Sequence, residues 1–294
     1  MNILNDKTVL VIGGTGFLGK YISSLLVKKG YDVHILSRGK KFIKIDGVKE
    51  RIISNRREYS QLASVLANRK YDYIIDLCAY NGVDVQLLMQ FVDVKYLKKY
   101  ILFSTGAVFN CNNMPITDKT SITDDLSNEY VNGKIKAEEY LKTQVVPYLI
   151  LRPGYVYGPF NSNDREKIVF SAIENQKILY IKDIDMCIQS IYVSDLAEIA
   201  CMFLENNTLM NITLPIYSDQ LFSFKEYVSI CEGITGSKCL FSANKTECNG
   251  RFPYLPISIY FRSELFNSLV KDLKFIKLAD GLEKCYEFYK DGVK

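Results

Sequence analysis

The chain has one histidine, His34. That scarcity excludes two classes of chemistry. A Ser-His-Asp triad needs a histidine placed beside its nucleophile, and one imidazole cannot build an ordinary zinc site. His34 lies in "DVHIL", an apparent strand, and reads as a strand residue near the edge of a core. The eight cysteines include no C-x-x-C pair. In a chain long enough to rely on its core they read as free thiols of a reducing cytoplasm, not as staples or zinc ligands. No apolar run reaches the roughly 18 residues of a membrane span. The start, "MNILNDKTVL", lacks the basic-then-apolar form of a signal peptide, so a cytoplasmic protein without membrane partners is expected. The 37 basic and 33 acidic residues are scattered, and a net charge of +4 leaves no basic stripe for nucleic acid. The Asn-x-Thr triplets at Asn206, Asn211 and Asn244 then carry no glycosylation meaning.

What is present begins with "VLVIGGTGFLGKYISSLLVKKG" (9–30). Four apolar residues read as a buried strand. Gly13, Gly14, Gly16 and Gly19 follow, and then a helical period set by Phe17, Ile22, Leu25 and Leu26. Lys28, Lys29 and Gly30 form a helix stop. The unit reads strand, glycine turn, helix, and the N–H groups opening such a helix suit a phosphate. Gly16 and Gly19 are expected to keep side chains out of the way of a pyrophosphate. A purely structural turn is the alternative.

Strand and helix signals then alternate: strand 33–36, helix 58–68, strand 73–77, helix 83–94, strand 100–104, helix 129–143 and strand 147–151. Crossovers of this length predict a doubly wound α/β fold, a parallel sheet of Rossmann type with helices on both faces. Beyond residue 158 the rhythm breaks. Residues 1–160 are expected to form the dinucleotide-binding domain. Residues 161–294 form mainly a smaller C-terminal lobe, with about 186–206 returning to the sheet. In that lobe Ser223 and Glu226 have capping-box spacing.

Two stretches could carry chemistry. The second strand ends in "ILSRG", where an NAD site usually offers an acidic residue to the ribose. Ser37 and Arg38 stand there instead. A hydroxyl and a guanidinium suit a 2′-phosphate, which favours NADP, although a solvated turn arginine would look the same. Further on, "YVNGK" places Tyr130 and Lys134 four apart on one helix face. It follows "FSTGAVF", where Ser104 and Thr105 leave the ligand-binding edge of the sheet. A phenol is a poor base at neutral pH until a nearby cation stabilises the phenolate. Lys134 can do so, and Thr105 can bond the substrate oxygen. Three ordinary surface residues remain the competing reading. Tyr286 and Lys290 repeat the spacing and read as a chance match on a later helix.

Taken together these segments resemble the short-chain dehydrogenase/reductase superfamily, in its extended or atypical NAD-dependent epimerase/dehydratase branch. "GGTGFLG" is similar to that family's cofactor turn, "DLCAY" (76–80) to the fourth-strand end along the dinucleotide, and "FSTGAVF" to the active-site strand. "YVNGK" matches Tyr-x-x-x-Lys. "LRPGYVYGP" (151–159) resembles the segment beside the nicotinamide, and "IYVSDLAEI" the motif whose Asp195 helps hold the lobe. The resemblance implies NAD or NADP held by Gly13, Thr15, Gly16, Phe17, Leu18, Gly19, Ser37, Arg38, Asn55, Cys78, Ala79, Tyr80, Ser104, Tyr130, Lys134, Pro153, Gly154 and Val156. Asn55 stands where relatives often carry aspartate near the adenine. Catalysis falls to Tyr130, Lys134 and Thr105. Gly106 and Ala107 replace the Asp-Glu pair of the sugar 4,6-dehydratases, which disfavours dehydration.

The implied activity is that of an oxidoreductase or isomerase of a nucleotide-linked sugar, working by hydride transfer without a metal. An epimerase returns the hydride to the other face of a keto intermediate, whereas a reductase consumes cofactor. Tyr80, Thr105, Asn163, Arg165 and Arg251 are the candidate substrate contacts. Arg165 pairing with Asp164 or Glu166 as a helix cap is the competing reading. An NADP-dependent reductase of a non-sugar carbonyl and a non-enzymatic cofactor-binding or RNA-associated relative are the alternatives, and a homodimer stays open.

Overall fold

The computed structural model describes residues 7–40 and 44–291. By its contacts the chain divides into two compact units. The first takes in Met1–Asn110, Thr120–Pro153 and Leu196–Ile216; the second takes in Cys111–Lys119, Gly154–Asp195 and Tyr217–Lys294.

The first unit is built on β1 (Thr8–Ile12), α1 (Phe17–Lys28), β2 (Asp32–Ser37), β3 (Glu50–Ile53), α2 (Tyr59–Leu66), β4 (Tyr73–Asp76), α3 (Gly82–Phe91), β5 (Lys99–Phe103), α4 (Glu129–Lys142), β6 (Tyr148–Pro153) and β7 (Ile212–Ile216). The seven strands form one sheet in the order β7-β6-β5-β4-β1-β2-β3. Every pairing is parallel. The expected α/β fold is therefore the one observed. β4 and β5 are buried along their whole length. Helices cover both faces of such a sheet, so its central strands run apolar and do not alternate. Leu10, Ile12, Leu62, Leu66, Ile74, Leu88, Leu102, Leu141 and Ile150 pack into one core.

Two strands of this sheet escaped the sequence reading. β3 opens on charge: Glu50 is paired with Arg69 and stands 3.2 Å from His34 Nδ1. β7 contains Pro215, which demotes a central strand but is admissible at the sheet edge where β7 lies. The chain runs to β2 and β3 on one side of β1 and to β4, β5, β6 and β7 on the other. The point where this order reverses is where open α/β sheets bind ligands, at the strands' C-terminal ends.

The second unit has helices Arg165–Glu174, Phe224–Thr235 and Leu278–Lys290 and several short strands. Ser223 and Glu226 form the capping box their spacing predicts. Strand Tyr155–Tyr157 pairs with Ser190–Tyr192, and Ile178–Tyr180 lies between Leu240–Ser242 and Gly250–Arg251. Asp195 Oδ2 accepts the Ile276 N–H at 2.9 Å, which fastens the loop ahead of helix Leu278–Lys290.

Candidate active site

The glycine turn is shaped by its own backbone. Gly13 has φ +82°, which favours glycine, and its N–H reaches Leu36 O of β2 at 2.9 Å. Gly16 N–H returns to Gly13 O at 2.9 Å, and Gly16 is the N-cap of α1. No side chain caps that helix, and its first turn holds no acidic residue. Its opening N–H groups are thus left to an anion, and Gly16 is exposed. Thr15, Phe17 and Leu18 line the same half-buried turn. The residues present fit a dinucleotide pyrophosphate.

Gly19 has a packing role within the turn itself. A Cβ there would run into Gly13 O and come within 2.7 Å of Gly14 Cα. Its bareness lets the start of α1 pack on the turn.

At the tip of β2, Ser37 is half-buried and Arg38 exposed. The Ser37 hydroxyl accepts Gly39 N–H at 3.4 Å. Asn55, after β3, is engaged in its own turn: its Oδ1 accepts Arg57 N–H at 3.3 Å and its amide reaches Glu58 at 3.5 Å.

The loop after β4 is held by ion pairs the sequence reading missed. Arg56 grips buried Asp76 through two bonds of 2.7 and 2.8 Å, Tyr100 donates its phenol proton to the same carboxylate at 2.6 Å, and Cys78 N–H bonds it at 2.9 Å. Burial would raise Asp76, but the Arg56 guanidinium and these donors hold it below the ordinary carboxylate value. One residue on, Arg57 clasps Asp84 at 2.8 and 3.1 Å, and Asp84 also receives Tyr80 N–H at 2.8 Å. The only sequence cue was two arginines ahead of two aspartates 20 and 27 residues away. The loop places Cys78 against Gly13, buries Ala79 and leaves Tyr80 half exposed. Burial pushes the Cys78 thiol up to about 11, so it stays protonated.

At the end of β5 the Ser104 hydroxyl donates to buried Glu138 at 2.5 Å, and Arg152 binds that carboxylate at 2.6 and 2.9 Å. Ser104 therefore ties β5 to α4 rather than directing its proton toward a ligand. Thr105 opens the 3-10 turn Gly106–Val108 and accepts Ala107 N–H at 3.2 Å. No carboxylate lies on that turn.

α4 starts at Asn128, whose side chain accepts the N–H groups of Tyr130 and Val131. Tyr130 is 46% exposed, while Lys134, one turn on, is 3% exposed. Lys134 Nζ donates to Phe103 O at 2.8 Å and lies 5.9 Å from the Tyr130 ring centre. Burial lowers the Lys134 ammonium from its usual value. A buried cation stands beside an accessible phenol at the C-terminal edge of the sheet.

Pro153 ends β6 and is buried. In the second unit, a Cβ on Gly154 would meet the Phe261 ring at 2.9 Å, and Val156 lies mid-strand opposite Ile191. Asn163 is exposed, its N–H on Asn161 Oδ1 at 3.1 Å. Arg165 opens its helix with its guanidinium 5.2 Å from the Tyr155 ring centre, and among the described residues no ion pair to Asp164 or Glu166 is formed. Arg251 borders a cleft of about 530 Å³ with Lys182, Lys245, Phe252 and Tyr254; Asn163 and Arg165 do not line it. Tyr286 and Lys290 both bind Glu174, at 2.8 and 3.1 Å. Among the described residues no His, Cys, Asp and Glu cluster could hold a metal ion, and no helix is long and apolar enough to cross a membrane.

Fold and turn together define a dinucleotide-binding α/β protein with a tyrosine–lysine pair at the sheet edge. The profile of the NAD dependent epimerase/dehydratase family matches residues 9–213, and the chain belongs to that family. Among curated relatives, chloroplast stem-loop binding protein of 41 kDa b from Arabidopsis thaliana is 24% identical over 241 residues, covering 77% of this chain. The match spans 63% of that relative's length. Among solved structures, UDP-glucuronic acid 4-epimerase from Bacillus cereus in complex with NAD superposes with a TM-score of 0.77 at 20% identity, over 98% of this chain and 100% of that one. UDP-N-acetylglucosamine 4-epimerase from Methanobrevibacter ruminantium, in complex with UDP-N-acetylmuramic acid, gives 0.79 at 18% identity, over 98% and 99%. At these identities the structures establish the shared fold.

Proposed function

We propose that this chain is an NAD(P)-dependent epimerase or reductase of a nucleotide-linked sugar, acting in the cytoplasm on a small molecule and not on nucleic acid or membrane. The observation that carries this reading is the buried Lys134 ammonium one helical turn behind the exposed Tyr130 phenol. The field of Lys134 stabilises the Tyr130 phenolate, so Tyr130 takes and returns the proton of a substrate hydroxyl. Thr105 bonds the oxygen at the reacting carbon. The uncapped start of α1 holds the pyrophosphate, and Ser37 with Arg38 favours the 2′-phosphate of NADP over NAD. Bound there, a nicotinamide dinucleotide supplies hydride acceptance and return. Asn163 and Arg165 are the candidates for binding a substrate diphosphate, with Arg251 in the later loop as a second phosphate contact.

The test is turnover of a nucleotide-sugar panel by Tyr130→Phe and Tyr286→Phe. Tyr130→Phe loses about a hundredfold or more, the scale of general acid–base catalysis, while cofactor affinity is kept; Tyr286→Phe is silent. Parent-like turnover in Tyr130→Phe refutes the assignment. The likeness to a stem-loop binding protein favours a second reading, a cofactor-binding protein without turnover. Cofactor binding with no change in any nucleotide sugar or small carbonyl would select it.

A further inference from the structure

Lys134 has two aromatic neighbours, and the nearer one is not Tyr130. Its Nζ lies 5.0 Å from the centre of the Tyr80 ring and 5.9 Å from that of Tyr130. The two rings are 6.3 Å apart, tilted by 51°. The ammonium also donates to Phe103 O at 2.8 Å.

Tyr80 is half exposed, yet its backbone is held at both its N–H and its C=O. Its N–H is on Asp84 Oδ2 at 2.8 Å, and Asp84 is clasped by Arg57. Its carbonyl oxygen presses on α4 at Gly133, where any Cβ would collide with it. Gly133 is the residue immediately before Lys134, so the bare position inside "YVNGK" lets the loop after β4 reach the lysine. These two contacts fix the backbone of a side chain that is 49% exposed and set its ring over the Lys134 ammonium.

We propose that Tyr80 is a positioning residue for the Tyr130–Lys134 pair: its ring closes the open side of the Lys134 ammonium and keeps it beside the Tyr130 phenol. The inference rests on the acid–base reading given above, and deepens it. An aromatic face attracts a desolvated cation and also excludes water from it. Without the ring, the flexible four-carbon stem of lysine can carry the charge out to solvent. Around Lys134 the charged and titratable groups are Arg56 from the turn after β3, Asp76 at the end of β4, Cys78 in the loop and Asp84 on α3.

The test follows Lys134 by NMR in protein labelled at lysine Cε, its signal assigned by its loss in Lys134→Arg, across Tyr80→Phe, Tyr80→Ala and Gly133→Ala. Burial lowers the parent lysine, and in Tyr80→Ala the water admitted outweighs the lost attraction of the ring, so the midpoint moves up. Tyr80→Phe keeps the ring and stays with the parent. Gly133→Ala displaces the loop and moves with Tyr80→Ala. A Tyr80→Ala midpoint equal to the parent's overturns the proposal, as does a Tyr80→Phe shift as large as that of Tyr80→Ala. The measurement needs neither cofactor nor substrate. Parent-like turnover in Tyr130→Phe would defeat the acid–base reading while leaving the Lys134 shift in Tyr80→Ala to stand on its own.

Discussion

Glu166 is fully buried in the second unit, in the first turn of helix Arg165–Glu174. Its Oε2 accepts from Asn161 at 3.1 Å and from the Tyr289 hydroxyl at 3.5 Å, and its Oε1 has no hydrogen-bond partner. The other groups acting on it or felt by it are Arg165 on its own helix, Tyr227 and Cys231 on helix Phe224–Thr235, Tyr254 in the loop after strand Gly250–Arg251, and Cys285 on helix Leu278–Lys290. Only Arg165 is charged, and burial outweighs it, pushing the Glu166 carboxyl from 4.5 up to about 7. Below about pH 4.5 the group is protonated in both folded and unfolded chains and has no pH effect. Between that point and pH 7 the unfolded chain releases the proton first. Stability therefore falls as pH rises, and the loss levels off above pH 7. At 1.36 kcal/mol per pKa unit, that rise removes about 3 kcal/mol. Glu166→Gln keeps the shape and cannot ionise. It is expected to match the parent within about 1 kcal/mol near pH 4.5 and to be more stable by up to about 3 kcal/mol near pH 8. Urea unfolding followed by circular dichroism at several pH values measures the gap. A gap that stays constant with pH refutes the reasoning.

Gly19→Ala must push the start of α1 off the turn, because its Cβ meets Gly13 O and Gly14 Cα. It is expected to cost about 1–3 kcal/mol by thermal or urea unfolding even without cofactor. An unchanged midpoint with weaker dinucleotide binding would restore a direct pyrophosphate role. Arg38→Ala should weaken NADP by calorimetry while leaving NAD unchanged, and tighter NAD than NADP binding by the parent sinks the 2′-phosphate assignment.

The alternating strands and helices, the glycine turn and the Tyr130–Lys134 spacing were legible because each is local. A buried parallel strand is an apolar run, an amphipathic helix has a period, and a Tyr-x-x-x-Lys pair lies within one helical turn. These features determined the α/β fold and pointed to one edge of the sheet. Short strands carrying charge or proline, β3 and β7, were not legible, since neighbours across the sheet stabilise them and local propensity does not. The excursion Cys111–Lys119 into the second unit left no pattern to read.

Only the tertiary structure decided which polar residues meet. Arg56 and Asp76 are 20 residues apart, Ser104 and Glu138 are 34 apart, and each pair is a buried contact that no periodicity announces. The surroundings of the two Tyr-x-x-x-Lys pairs are likewise a tertiary matter. Tyr130 and Lys134 sit at the end of β5 with the lysine buried, whereas Tyr286 and Lys290 close on Glu174. Spacing along a helix sets which side chains share a face. What that face meets, and whether a lysine on it is desolvated, depends on segments far away in the chain: here, the loop that lays Tyr80 over Lys134.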